Sequence, residues 1–329
     1  MFKQSEFIDR CKARSLDEAA TARAVAVVAA LEQSAAGSSG TLADATLASV
    51  ERHVARLVET GLADESALMA MARYFAVIQN EQLAIRLLAY FLPVGVLPAM
   101  AGRLRELEGD TIADLVLAGL SFPPTGAAPE VYPAATTYFV TALVRELGAE
   151  RAERVLDWNV HGIPASAFAP ERERLLELGS VDAWLRDYHE RQVAELARHA
   201  ADGTLWYEQR ITDAVVDFVR SHPEIQGGVR VGDTIFVTKI PYDPDRYLRE
   251  TDPLEKRRLA CHCPLAVSSI TENGAGVPAA WCACSAGYTK FMFDVAFGEP
   301  TKATVISSVL AGDPVCRFAI RVPASVPRG

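Results

Sequence analysis

At 329 residues, 50% hydrophobic and 23% charged, the chain is too long for one ordinary core, and two domains are expected. Its formal net charge of −9 argues against a nucleic-acid partner, because no basic surface is there to neutralise phosphates. The opening MFKQSEFIDRCKARS is charged and lacks an apolar h-region, and no run of 18 uninterrupted apolar residues occurs, so neither a signal peptide nor a membrane span is expected.

Residues 1–202 read as an all-helical domain. Ser15 is placed to cap a helix, with Asp17 and Glu18 in its first turn, running to about Leu31. Gly37-Ser38-Ser39-Gly40 breaks it, and Thr41, with Asp44 at the capping-box position, opens the next, to about Gly61. Asp64 starts a long helix through Met69, Tyr74, Ile78, Leu88 and Phe91 that ends at Pro93. Further helices are read over Leu97–Leu107 and from Gly109-Asp110 to Leu120. Residues 121–133 carry four prolines and form a loop. Helices resume over Ala134–Leu147, Glu150–Val160, Glu171–Leu178 and Val181–Ala201, and Gly203 ends the last. The stripe Leu87, Leu88, Phe91 reads as core. His53, His161, His189 and His199 are scattered and read as surface or satisfied side chains.

After Gly203 the period changes. Trp206–His222 reads as one more helix. Val229–Ile240 then alternates and is rich in β-branched residues, as a strand is. Arg257–Cys263 reads as a second strand stopped by Pro264, Gly274-Ala275-Gly276 as flexible, and Trp281–Cys284 as short and extended. Ser285–Phe297 reads as a helix closed by Gly298. Thr301–Leu310 and Val315–Val322 form a hairpin. The fold class is therefore α+β: a helical domain over residues 1–202, then a cysteine-rich domain over 203–329 with an antiparallel sheet.

Five of the six cysteines fall between Cys261 and Cys316, as Cys261-His262-Cys263, Cys282-Ala283-Cys284 and Cys316. Cys11 is the outlier and reads as a small hydrophobe. Thiolates are soft ligands that select zinc, copper(I) or iron–sulfur clusters. In a strand, residues i and i+2 share a face, so each Cys-x-Cys pair would turn both sulfurs to one ion. His262 would then point away. Cys284 precedes a helix N-terminus, which would lower its thiol pKa and suit it as ligand or nucleophile. Three readings stay open: a metal site, a thiol–disulfide or reactive-cysteine site, and buried cysteines that are merely apolar.

The segment Gly287-Tyr288-Thr289-Lys290 … Phe297-Gly298-Glu299-Pro300 … Gly312-Asp313-Pro314-Val315-Cys316-Arg317-Phe318 resembles the end of a 4-vinyl reductase domain. The whole run from Cys261 to Phe318 also resembles an uncharacterised prokaryotic family with paired Cys-x-Cys motifs. A weaker resemblance is to the L-2-amino-thiazoline-4-carboxylic acid hydrolase family. The vinyl-reductase resemblance covers about the last 125 residues and implies an α+β fold, a buried ligand pocket and, as in several members, zinc. Its zinc site would use Cys282 and Cys316, and its other two ligand positions fall on Val305 and Ser308. That site is broken as it stands, and Cys261, Cys263 and Cys284 are the candidate replacements.

The expectation is a metal-thiolate protein, zinc rather than an iron–sulfur cluster or no cofactor, that binds or acts on a small molecule as a hydrolase or lyase. The alternative is a ligand- or redox-sensing module with a structural metal. Candidate catalytic residues are Cys284, Tyr288 and Arg317, with Arg317 or Lys290 as holder of a substrate carboxylate. Candidate metal ligands are Cys261, Cys263, Cys282, Cys284 and Cys316. A cytoplasmic location is expected, with no nucleic-acid or membrane partner and a homodimer as the assembly to test.

Overall fold

The computed structural model describes residues 3–36, 40–271 and 274–326. The expected break at Gly37-Ser38-Ser39 lies outside the described residues, as do Met1 and Phe2 of the opening. The chain is α+β, with helices first and a four-stranded antiparallel sheet last. It divides into two compact units, residues 1–97 with 121–132, and residues 98–120 with 133–329. Helices upstream of Gly203 thus group with the sheet.

The first unit holds α1 (Gln4–Ala13), α2 (Glu18–Ala35), α3 (Leu47–Glu59), α4 (Glu65–Val77) and α5 (Glu81–Phe91). Asp17, not Ser15, caps α2, accepting from the Ala20 N–H at 2.8 Å. Thr41 to Asp44 makes only a short 3-10 turn, and Thr46 caps α3. The long helix expected from Asp64 to Phe91 is two. Gln79 adopts φ +60, and the Asn80 side chain accepts from the Leu83 N–H at 3.2 Å, restarting the chain as α5. Phe7, Val28, Leu31, Leu68, Met71, Phe75 and Leu87 are fully buried in this unit's core, with Cys11 among them as a small hydrophobe. Leu88 and Phe91 pack against it, as expected.

Residues Glu81–Glu108 reach a mean hydropathy of 1.8, long and apolar enough by composition to cross a membrane. The stretch is broken at residues 92–95, between α5 and α6 (Val96–Glu108). Leu83, Leu87 and Tyr90 of its first half are buried in the first unit's core.

The helices that follow are α7 (Asp110–Leu117), α8 (Tyr132–Leu147), α9 (Ala149–Leu156), α10 (Ala169–Leu178), α11 (Val181–Asp202) and α12 (Asp213–Ser221). The helix expected from Trp206 begins only at Asp213, because Trp206 and Gln209 pair with each other as an isolated bridge. Then come β1 (Val229–Val231) and β2 (Thr234–Thr238). They are a hairpin rather than one strand, turned at Gly232 with φ +64. Next are α13 (Pro244–Arg249) and α14 (Pro253–Ala260). The two-residue strands β3 (Ile270–Thr271) and β4 (Gly274–Ala275) pair with each other where flexibility was expected. The unit closes with α15 (Ala283–Phe297), β5 (Ala303–Ser307) and β6 (Arg317–Arg321).

The sheet order is β1-β2-β6-β5, with every neighbour antiparallel. One face of α15 packs on this sheet, with Phe293 and Ala296 buried, and Phe318 and Ile320 of β6 are fully buried. On the other side α15 meets α9 and α10. The close approach to the end of α9 depends on Gly287, where a Cβ would fall 2.2 Å from the Trp158 nitrogen.

Two expected extended segments are helical. Arg257–Cys263 was read as a strand, but α14 occupies Pro253–Ala260. Asp252 caps it at 2.7 Å from the Glu255 N–H, with Pro253 at the first helical position. Trp281–Cys284 was read as extended, but Ala279–Cys282 is a 3-10 turn running straight into α15.

Candidate functional site: a buried thiol cluster

These two corrections set the site. Cys282 stands at the N-cap of α15 and Cys284 in its first turn. Residues two apart on a helix point about 200° away from each other, so the pair does not present both sulfurs to one point as a strand would. Cys261 caps the C-terminal end of α14 in extended backbone, and the chain turns at once, with the Ala266 and Val267 N–H groups donating to the Cys263 carbonyl. His262 does point away: its Nε2 lies 2.6 Å from the Ile240 carbonyl, and burial with the Lys239 charge pushes its pKa down to about 3. It is a neutral, satisfied side chain.

All five thiols nonetheless gather around the start of α15. Cys282 Sγ shares a 2.9 Å hydrogen bond with Ser308 Oγ, at the end of β5. The Cys282 side chain also lies within interaction reach of Cys316, which immediately precedes β6. The Val309 N–H donates to the Cys316 sulfur, and Trp281 Nε1 donates to Cys263 Sγ at 3.2 Å. Cys261 lies within electrostatic reach of Cys263 and Cys316, and Cys284 of Cys263. Cys282, Ser308 and Cys316, three of the positions singled out by the vinyl-reductase resemblance, thus converge. Val305, the fourth, offers no donor atom.

The thiols divide electrostatically. Burial above all, then neighbouring sulfur, raises Cys261 and Cys284. Burial raises Cys263 against the Trp281 hydrogen bond. Cys282 rises well above the usual thiol range because it keeps its proton as the partner of Cys316, and because it is buried. Cys316 alone is lowered, first by Cys282 and then by the Val309 N–H and Lys239. Cys316 is thus the one thiol of the five whose environment favours the thiolate, and the lowering expected for Cys284 from its helix end loses to burial.

The other expected residues fare differently. Arg317 makes a bidentate pair with Glu224, both contacts 2.7 Å, and stacks on Phe236 at 4.3 Å, so its fork is occupied. Lys290 is buried, donating to the Thr301 carbonyl at 3.0 Å with Asp157 and Asp294 at 3.6 and 3.5 Å. Tyr288 is 42% exposed at the rim of the cluster, under Lys239 and edge-on to His161. The sequence reading missed Lys239, Ser285, His161 and Asp157. Lys239 and Ser285 lie inside elements that the sequence shows, the strand signal Val229–Ile240 and the start of the helix Ser285–Phe297, and nothing there marks them as site residues. Asp157 and His161 carried no local signal.

A soft donor set of buried thiols is chemically suited to zinc. Among the described residues, however, no three Cys, His, Asp or Glu side chains come together as a set that could hold a metal ion. As placed among the described residues, the five sulfurs do not form a closed tetrahedral set. A concavity of about 510 Å³ lies in the first unit, lined by Glu6, Arg10 and Val77, and not beside the thiols.

Asp157 yields a pH prediction. Burial lifts its carboxyl to about 6, with Lys290 pulling down and Asp294 pushing up, and its Oδ1 is buried without a hydrogen-bond partner. The native state binds this proton more tightly than the unfolded chain at 3.8, so this group destabilises at neutral pH and the penalty disappears as pH falls from about 6 to 4. Asp157→Asn should be more stable than wild type at pH 7 by up to about 3 kcal/mol, and the difference should vanish near pH 4. Urea unfolding across that range measures it. A variant less stable at pH 7 would show that the pair with Lys290 outweighs burial.

Residues 250–326 match a family of unknown function, DUF6144. The match takes in all five clustered cysteines, Ser308 and Tyr288, and leaves out Lys239, His161 and Asp157. No curated protein and no solved structure matches the chain.

Proposed function

We propose that the second unit is a thiol-chemistry site for a small molecule, with Cys316 as the reactive thiolate and Cys282 as its resolving partner. The observation that carries the reading is that Cys282, held to Ser308 Oγ at 2.9 Å, and Cys316 are brought within interaction reach of each other by the fold. A thiolate at neutral pH is the nucleophile, and a second thiol beside it completes a dithiol. Against a small disulfide, the Cys316 thiolate attacks one sulfur, the S–S bond breaks, and one half leaves as a thiolate. Cys282 then gives up its proton to that leaving group and attacks the Cys316 sulfur. The second half departs as a thiolate, which takes its proton from water, and the protein keeps a Cys282–Cys316 disulfide. The same thiolate would alkylate with a carbon electrophile. This is the thiol–disulfide or reactive-cysteine reading of the sequence, made specific to two thiols. It keeps the small-molecule partner implied by the vinyl-reductase resemblance and suits a reducing compartment, where free thiols persist.

The test is alkylation of the native protein by iodoacetamide across pH, with each cysteine followed by peptide mass spectrometry. Cys316 should react with a midpoint well below the 9.0 of an ordinary thiol, and Cys282→Ala should move that midpoint up. Stoichiometric zinc, released only on denaturation and shielding the cysteines until then, would overturn the dithiol reading in favour of a thiolate metal site.

A further inference from the structure

Lys239 sits where the thiol cluster meets the surface. It follows β2 directly, and its backbone N–H donates to the Cys316 carbonyl at 2.9 Å, which fixes its position beside that thiol. Its Nζ donates to Ser285 Oγ at 3.2 Å and lies 5.4 Å from the centre of the Tyr288 ring. Both partners are neutral. Among the described residues Lys239 forms no ion pair with a carboxylate. Lys290, one turn further along α15, shows what this molecule does with an ammonium it means to keep: two carboxylates and a carbonyl surround it. A half-buried ammonium held directly by a hydroxyl and a ring face, with no carboxylate paired to it, has a place for one.

The surroundings are open on one side. Tyr288 is 42% exposed, and His161, exposed, packs edge-on against it at 5.6 Å. Desolvation by the groups packed on its ring, then the Lys239 charge, lowers the His161 pKa although its residue is largely exposed, so it adds a polar edge and no competing cation. Glu208 lies within electrostatic reach of Tyr288. On the inner side the Lys239 charge reaches Cys261, Cys263, Cys284 and Cys316.

We infer that Lys239, with Ser285 Oγ and the Tyr288 edge, receives the carboxylate of a small thiol-reactive substrate and so presents its electrophilic atom to Cys316. The inference rests on the thiol reading above and adds the substrate's charge class. Lys239 is a binding residue, and the chemistry stays with the thiols.

Iodoacetate and iodoacetamide test it, since both lose iodide to the same attack and differ in carrying a carboxylate or a neutral amide. The quantity read is the rate of Cys316 modification by iodoacetate divided by that by iodoacetamide, each normalised to free cysteine. Dividing the two removes any change in the thiol's own ionisation. The ratio in the wild type should be on the order of tenfold at low salt, fall towards one in about 0.5 M sodium chloride, and collapse in Lys239→Gln while Lys239→Arg retains it. Should Lys239→Gln fail to fold, the salt dependence in the wild type decides alone. Fast iodoacetamide reaction with a ratio near one sinks the carboxylate site and leaves the reactive thiol standing. Cys316 reacting with neither reagent faster than an unfolded cysteine sinks both.

Discussion

Gly287→Ala should destabilise the second unit by about 3 kcal/mol or more, although alanine is the better helix former by about 1 kcal/mol. Its new Cβ would lie 2.2 Å from the Trp158 nitrogen and 2.7 Å from both the Asp157 carbonyl carbon and the Trp158 oxygen. These are backbone atoms, so no rotamer change relieves the contact. Either α15 or the segment after α9 must move. That movement would separate Asp157 from Lys290 and shift His161 away from Tyr288, so the site should loosen with the fold. Urea unfolding of the variant beside wild type reads the loss. A Gly287→Ala protein as stable as wild type would mean that the loop yields freely, and that it does not position the site.

Trp184→Ala carries the second large effect. Trp184 on α11 is fully buried, edge-on to Phe293 and Phe297 of α15 at 5.7 and 6.0 Å, and its Nε1 donates to Glu171 Oε2 of α10 at 3.0 Å. One side chain thus ties three helices together. Truncating it removes the apolar burial and leaves a cavity, at a cost of about 3–5 kcal/mol. Glu171 would keep its bidentate partner Arg191, at 2.9 and 2.7 Å, so the carboxylate is not stranded. Trp184→Phe separates the terms, since it keeps ring packing and loses the indole donor, for roughly 1–2 kcal/mol. Thermal melting of the two variants checks the order. Equal losses would assign the effect to the hydrogen bond and not to packing.

Where the sequence reading erred, the competing signal can be named. Asp252-Pro253 followed by Glu255 is a helix start, and it outweighed the apparent strand at Arg257–Cys263. Asn80 is an N-cap inside an otherwise continuous apolar pattern, and it split one expected helix in two. Gly298 with φ +75 and the hairpin of β5 and β6 were legible because turn chemistry and period 2 are local properties.

The sequence by itself determined the helical first part, the switch to an antiparallel sheet, and the grouping of five thiols between Cys261 and Cys316. Each follows from periodicity, capping or simple nearness along the chain. Tertiary structure decided which thiols touch, because the Cys282–Cys316 pair forms only when the start of α15 meets the end of the β5–β6 connection. It also decided that Lys239, His161 and Asp157 join them, and that helices before Gly203 belong with the sheet. Those contacts span long stretches of chain and rest on packing complementarity between α9, α11 and α15, which leaves no mark at any single position of the sequence.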